Sequence, residues 1–486
     1  MAILDLNEWI EQLEKEGEVA RIKEKVDWNL ELGGITQETF DRKGPALLFE
    51  NIKDHENTVC RKFFTGALAS FSRIALMLGL PKDTPYRELI DVWRERSKRR
   101  IKPKVVKTGP VKENIIKEAD VDMFQFPAPF WHELDGHRYI GTFDGVVTKD
   151  RDSDWINVGL YRRAIHNEKQ LGITFTVGQH AWLHWRSYSK KGENVPIAVA
   201  VGWNPILPAV SCSHQGIGTC EYDVMGGIMG EPVELVKCET NDLLVPASAQ
   251  IVYEGYLDTN KDSFMLEGPF GEYTGYYCSV PHTRPVFNVT CITHRNDPIL
   301  QGTLEGVPIN EDHHIEAIGH SASIRDLLDE RMRGVTAVNV DPSTAWSNVF
   351  VQIDNSYIGQ VHQVAANIWS SMTSVMCGKN IFVFDQDVDI FDLNKVMWAI
   401  GYRLNPDRDI IKFPGWISPL DPSIHPKDRV HEAVKKGNRL LFDCTKPLDW
   451  PRTDEWFGER FAPLAYPDDA TMKKVRENWS KYGINA

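Results

Sequence analysis

The sequence predicts an α/β protein interrupted by a β-barrel or strongly curved sheet. Helix and strand signals alternate over the first hundred or so residues. Short β-type runs then crowd the middle of the chain, and α/β alternation returns after residue 310.

The N-terminal region reads element by element. In MAILDLNEWIEQLEKEGE, Leu6, Trp9, Ile10 and Leu13 share one helical face. Asp5 can cap that helix with Glu8 three residues on, and Gly17 suits its end. VARIKEKV at 19–26 and PALLFENI at 45–52 read as strands, and the stretches 5–16, 29–42 and 65–79 as helices. A further helix is expected to start at Thr84-Pro85, with the hydroxyl as cap and proline at the first helical position. The basic run RERSKRRIKPKVVK at 94–107 reads as a helix end followed by a linker.

In the middle, the runs 138–149, 156–162, 171–177, 195–203, 232–239, 249–257 and 285–294 are β-type and separated by Gly, Asn, Asp and Pro. Helical insertions are expected near 180–191 and 221–229. Beyond 310, helices are expected near 314–331, 360–377 and 392–403, and strands at 335–340, 347–353, 381–385 and 439–443. MKKVRENWSKYG reads as a terminal helix. The expected division is 1–126 (α/β), 127–310 (barrel), 311–445 (α/β) and 446–486 (tail and helix).

Bulk properties exclude several classes. At 486 residues the chain is too long for one small core. A net charge of -13 disfavours nucleic acid as partner, because phosphate binding needs an excess of Lys and Arg on some face. No apolar stretch approaches the ~18 residues of a membrane span, and the opening residues carry no charged-then-apolar signal pattern. The eight cysteines include no C-x-x-C pair, so reduced thiols in a cytoplasmic protein are expected.

Some chemical motifs dissolve on inspection. DQDVD at 385–389 opens like a calcium loop, but Ile390 and Val396 stand where glycine and glutamate are needed, so it reads as an acidic turn at a strand end. In EDHHIEAIGH, His313, His314 and His320 do not converge on one helix face, and a helix start capped by Asp312 is expected. HELDGH at 132–137 lacks the spacing of a zinc protease. GGIMGE at 226–231 lacks the spacing of a dinucleotide fingerprint.

The stretch DWINVGLYRRAIHNEKQLGITFTVGQHAWLHW is more informative. Asn157 and His180, with Glu221 or Asp223 as carboxylate, form a ligand set suited to manganese, magnesium or ferrous iron. Asn157 and Arg162 are an odd number of residues apart. On a regular strand they face opposite ways, so convergence needs a bulge or a strand end.

Five stretches in register make the chain resemble the UbiD-like decarboxylases, which use prenylated FMN. They are NVGLYR (157–162) with GQH (178–180), CEYDVMGGIMGEPVELVKCETNDLLVPASAQIVYEGY (220–256), LEGPFGEYTGYY (266–277), FVFDQDVDIFDLNKVMWAIGYRLNPDRD (382–409) and PLDPS (419–423). GPALLFENI and MLGLPKDTP near the start also fit. The resemblance implies an α/β N-terminal region, a flavin-reductase-like split β-barrel and a C-terminal α/β oligomerisation domain. It implies Asn157, His180 and Glu221 as ligands of a divalent ion (Mn2+, or Fe2+ or Mg2+), with K+ nearby. Leu160, Tyr161, Arg162, Thr174, Phe175, Thr176, Gln179 and His180 would line the cofactor, and Arg162, Glu267 and Glu272 would form the catalytic network.

The implied reaction is reversible release of CO2 from an aromatic or α,β-unsaturated acid. Glu272 would be the proton donor, and Arg162 would pair mainly with Glu267. The implied partners are a small aryl carboxylic acid, a UbiX-like flavin prenyltransferase that supplies the cofactor, and further copies of the chain as homodimer or hexamer. Trp131, His282, His314 and Trp416 are candidate substrate contacts. The rival readings are an FMN-dependent oxidoreductase, which would not need Glu272, and a subunit of a carboxylase.

Overall fold

The computed structural model describes residues 5–213, 215–431 and 434–484. The first helix, α1 (Leu6–Lys15), buries Leu6, Trp9, Ile10 and Leu13, and the Asp5 carboxylate accepts from the Glu8 amide at 3.0 Å. Then come β1 (Val19–Ile22), α2 (Glu31–Asp41), β2 (Ala46–Phe49), β3 (Lys62–Thr65), α3 (Phe71–Met77) and α4 (Tyr86–Arg96).

Two expectations need correction here. The helix expected over 65–79 begins only at Phe71, because KFFT at 62–65 is a strand; Ser70 caps the helix by accepting from the Arg73 amide at 3.2 Å. Pro85 is the cap of α4 rather than its first residue, and the Thr84 hydroxyl donates to the Pro81 carbonyl at 2.6 Å instead of capping.

The central region contributes β4 (Lys104–Val105), β5 (Asn114–Lys117), β6 (Tyr139–Gly141), β7 (Gly145–Lys149), β8 (Ile156–Gly159), β9 (Arg163–Ile165) and β10 (Gln170–Ile173). After α5 (His180–Ser189) come β11 (Val195–Val201), α6 (Ile206–Ser211) and α7 (Glu221–Met229). The series continues with β12 (Glu234–Lys237), β13 (Leu244–Pro246), β14 (Ile251–Leu257), β15 (Met265–Glu267), β16 (His282–Arg284), β17 (Val286–His294) and β18 (Ile299–Gln301).

Nine of these strands form one sheet in the order β6-β9-β10-β17-β14-β11-β7-β8, with β5 pairing β17. The run at 232–239 is a strand as expected, but β12 pairs with β13 and β4 in a separate three-stranded sheet. β18 returns to the N-terminal region and completes a four-stranded sheet, β1-β2-β3-β18.

The nine-stranded sheet must curl. β8 and β9 lie six positions apart in the strand order, about 29 Å in a flat sheet. Yet only Leu160, Tyr161 and Arg162 join them, and such a link spans about 15 Å at most. The sheet therefore closes on itself with its two sides near each other, a split barrel. The link at 160–162 crosses that split.

The C-terminal region holds α8 (Glu311–Arg331), β19 (Val335–Val340), β20 (Asn348–Ile353), α9 (Gln360–Trp369), β21 (Asn380–Asp385), α10 (Leu393–Arg403) and α11 (Pro406–Asp409). It ends with β22 (Ile410–Ile417), β23 (Arg429–His431), β24 (Val434–Cys444) and α12 (Asp469–Glu477). Its sheet runs β19-β20-β21-β24-β22, with β23 against β24. The helix expected to reach 377 stops at Trp369 and gives way to a 3-10 turn at Met372–Val375. The cap of α8 is Asn310, not Asp312: the Asn310 side chain accepts from the His313 amide at 3.2 Å, and His313 Nδ1 accepts from the Asn310 amide at 3.0 Å. DQDVD is an acidic turn after β21, where Arg403 pairs with Asp387 at 2.8 Å. None of the eight cysteines is in a disulfide, and no described helix is long and apolar enough to cross a membrane.

Candidate active site

Two clusters of polar side chains gather where the 160–162 link crosses the split. β8 ends at Gly159, so Arg162 is freed from the strand's alternation. Gly159 is required there, because a Cβ would stand 2.6 Å from the Tyr161 ring that folds back over it. The Tyr161 hydroxyl donates to Asn157 Oδ1 at 3.1 Å and accepts from the Ala181 amide at 3.3 Å.

In the first cluster the Arg162 guanidinium is held by both predicted acids. Nε and Nη2 donate to Glu267 Oε1 and Oε2 at 3.0 and 2.9 Å, and Nη1 donates to Glu272 Oε1. The pairing with Glu267 is the bidentate one, as expected, and a single further bond reaches Glu272, so Arg162 bridges the two acids. β15 delivers Glu267 and the Gly-Pro-Phe-Gly turn delivers Glu272, while Arg162 lies 4.9 Å over the Phe270 ring between them. Thr174, following β10, donates to Glu267 Oε2 at 2.9 Å, and Tyr139 on β6 donates to Oε1 at 2.9 Å.

The two acids differ electrostatically. Burial would raise the Glu267 carboxyl, but the charge and bonds of Arg162, with those of Thr174 and Tyr139, outweigh it and hold it down to about 2. For Glu272 burial wins: it is pushed above the ordinary value, Arg162 opposes the rise, and the charges of Glu267 and Asp135 add to it. One acid is poised to stay ionised and the other to keep a proton.

The second cluster unites Asn157, His180 and Glu221. His180 is the first residue of α5 and Glu221 the first of α7, so both lie at positive helix ends. Glu221 Oε1 accepts from Asn157 Nδ2 at 3.2 Å and lies 3.6 Å from His180 Nδ1, while Oε2 accepts from the Val158 amide at 2.8 Å. The alternative carboxylate, Asp223, is half-buried near Lys102 and Arg100. Among the described residues no three His, Cys, Asp or Glu side chains converge on a metal position, and this cluster reaches its donor set through an amide. Of the remaining predicted lining residues, Leu160 is half-buried, Tyr161 and Phe175 are buried, and Thr176 and Gln179 lie exposed at the loop before α5.

The candidate substrate contacts are dispersed. Trp131 is 2% exposed and packs edge-on against Phe63 in the core. His314 packs edge-on against Phe71 and bonds the Asn310 carbonyl through Nδ1 at 2.9 Å. His282 on β16 pairs with Glu267 across the hairpin and is half-buried. The side chain of Trp416 lies outside the described residues. Sequence reasoning missed Tyr139 and Asp135, whose bonds to Glu267 and to the turn before Glu272 span 128 and 136 residues.

Comparison with known proteins fits this geometry. The sequence matches family models for 3-octaprenyl-4-hydroxybenzoate carboxy-lyase: the N-terminal domain over 10–93, the Rift-related domain (UbiD) over 104–308 and the C-terminal domain over 313–444. The chain belongs to the UbiD family. Its UbiD relatives include a pyrrole-2-carboxylic acid decarboxylase of Pseudomonas aeruginosa, 30% identical over 504 residues that cover 99% of this chain and 98% of the relative. Vanillic acid decarboxylase of Sedimentibacter hydroxybenzoicus in closed form superposes with a TM-score of 0.85 at 29% identity, covering 99% of both chains. The UbiD-class enzyme HmfF of Pelotomaculum thermopropionicum, in an evolved dimeric form complexed with prFMN, superposes at 0.79 with 26% identity, covering 92% of this chain and 96% of that one. The chain is accordingly an enzyme of the carboxy-lyase class.

Proposed function

We propose that this UbiD enzyme catalyses reversible, non-oxidative decarboxylation of an aromatic or α,β-unsaturated carboxylic acid with prenylated FMN bound at the barrel split. The single observation that carries the reading is the buried Glu267–Arg162–Glu272 network, in which the surroundings shift the two acids in opposite directions, Glu267 down and Glu272 up. The relatives' aryl acids and the prFMN held by one of them support the same substrate class and cofactor.

When bound, prenylated FMN supplies the electron sink that cleavage at an sp² carbon needs and no side chain can offer. The residues do the rest. The helix N-termini at His180 and Glu221 favour the cofactor phosphate. Asn157, His180 and Glu221 present an amide, an imidazole and a carboxylate, a donor set that fits Mn2+, Mg2+ or Fe2+, with K+ beside it. Leu160, Tyr161, Arg162, Thr174, Phe175, Thr176 and Gln179 line the same cradle.

Glu267 stays ionised and fixes Arg162. Glu272 holds a proton through burial and delivers it from its carboxyl to the substrate carbon as CO2 leaves. In the reverse direction the Glu272 carboxylate takes that proton back. The buried surroundings exclude water, which would otherwise compete as proton donor. A UbiX-like flavin prenyltransferase supplies the cofactor, and the chain assembles as a homodimer or hexamer in the cytoplasm.

The test is expression with and without a flavin prenyltransferase, followed by the flavin spectrum and mass and by CO2 release from a panel of aryl acids. Prenylated flavin with release from at least one acid is expected. Plain FMN and no release, even after the prenylated cofactor is supplied anaerobically, would reject the proposal.

A further inference from the structure

The loop at 132–137 lies against the turn that carries Glu272. Gly136 donates to the Pro269 carbonyl at 2.8 Å, and a Cβ on Gly136 would stand 2.0 Å from the Gly268 carbonyl oxygen. A Cβ on Gly271 would stand 2.6 Å from His132 Nδ1. The Leu134 amide donates to the Tyr277 hydroxyl at 3.0 Å. Loop and turn are therefore in close contact, backbone to backbone at Gly136 and Pro269 and through the His132 and Tyr277 side chains elsewhere.

Asp135 is the one carboxylate of this loop that enters the contact. Its side chain is fully buried. Oδ1 accepts from the Gly271 amide at 2.9 Å, and Oδ2 accepts from the His132 amide at 3.1 Å. We propose that Asp135 is a positioning residue of the decarboxylase site: it fixes the residue preceding Glu272 and adds a buried negative charge beside it.

Arg162 pairs with two buried carboxyls, Glu267 and Glu272, and the charge of Asp135 acts on Glu272 as well. Glu305 is a further buried carboxyl that feels the charges of Asp312, Glu272 and Glu316. His132 lies 3.5 Å from Asp135, and Tyr139 also feels its charge. Asp135 accepts two backbone amide bonds, and Glu267 is held ionised by Arg162. A further negative charge among these buried groups is costly, so the charges of Glu267 and Asp135 both favour the protonated form of Glu272.

This inference rests on the role given to Glu272, and its test uses two independent readouts. Asp135→Asn and Asp135→Ser each keep an acceptor for the Gly271 amide and remove the charge; using both preserves the test if either variant misfolds. The first readout is the pH profile of kcat/KM for the cofactor-loaded enzyme on an acid that the wild type decarboxylates. The alkaline limb should move to lower pH, with a fall of about three- to tenfold on that limb. The second is the carboxyl C=O infrared band of the cofactor-free protein, assigned to Glu272 by its loss in Glu272→Gln. Its titration midpoint should move down in step. Unmoved limb and midpoint in the uncharged variants would overturn the inference. Absence of decarboxylation by the wild type would reject the proposed function instead, and the infrared titration would still decide the role of Asp135.

Discussion

Glu267→Gln is the perturbation whose size follows most directly from the structure. Glu267 makes two bonds to Arg162 and one each to Thr174 and Tyr139, and its side chain is 1% exposed. Its carboxyl sits at about 2 instead of 4.5 in the folded protein. At roughly 1.4 kcal/mol per pH unit, the ionised form contributes about 3 kcal/mol of stability. Because the folded value is depressed, this contribution is complete above about 4.5 and drains away as pH falls toward about 2. At pH 3 about 2 kcal/mol of it is gone.

The amide keeps the shape and loses the charge. Differential scanning calorimetry should therefore find the barrel transition of the variant lower by roughly 6–12 °C at pH 7, and by much less at pH 3. The same change leaves Arg162 with Glu272 alone, which draws the Glu272 proton away and moves the alkaline limb of activity to lower pH. A gap between variant and wild type that is equal at pH 3 and pH 7 would refute the reasoning.

Asn157→Ala and His180→Ala should each reduce flavin retention after gel filtration by at least about tenfold while leaving the fold intact by circular dichroism, because in the proposed function each supplies one ligand of the cation that would grip the cofactor phosphate. Gly136→Ala pushes a methyl into the Gly268 carbonyl, so CO2 release should fall by about 10²-fold from displacement of the turn. Gly401→Ala, in open space on α10, is the control and should leave activity unchanged.

Local signals were legible in the sequence where local physics decides. The apolar stripe of α1 and its Asp5 cap are set by helix periodicity and one short hydrogen bond, and both stand as expected. The Asn157–His180–Glu221 convergence was legible only as a candidate set. What unites it is the curl of the sheet and the two helix starts, which no spacing encodes. β22 escaped notice because Pro414 and Gly415 interrupt it, and an edge strand tolerates both. Thr84 looked like a cap because hydroxyls usually are; here the Pro81 carbonyl takes it first. The bridging of Arg162 to both acids, and the approach of Asp135 to Gly271, depend on contacts across more than a hundred residues and could be read only from the folded chain.

The central claim is that Glu272 delivers the proton. The most direct measurement is CO2 release by Glu272→Gln loaded with prenylated cofactor, alongside its flavin content by absorbance. The account predicts wild-type flavin content and no turnover. Turnover equal to the wild type, with flavin bound, would contradict it.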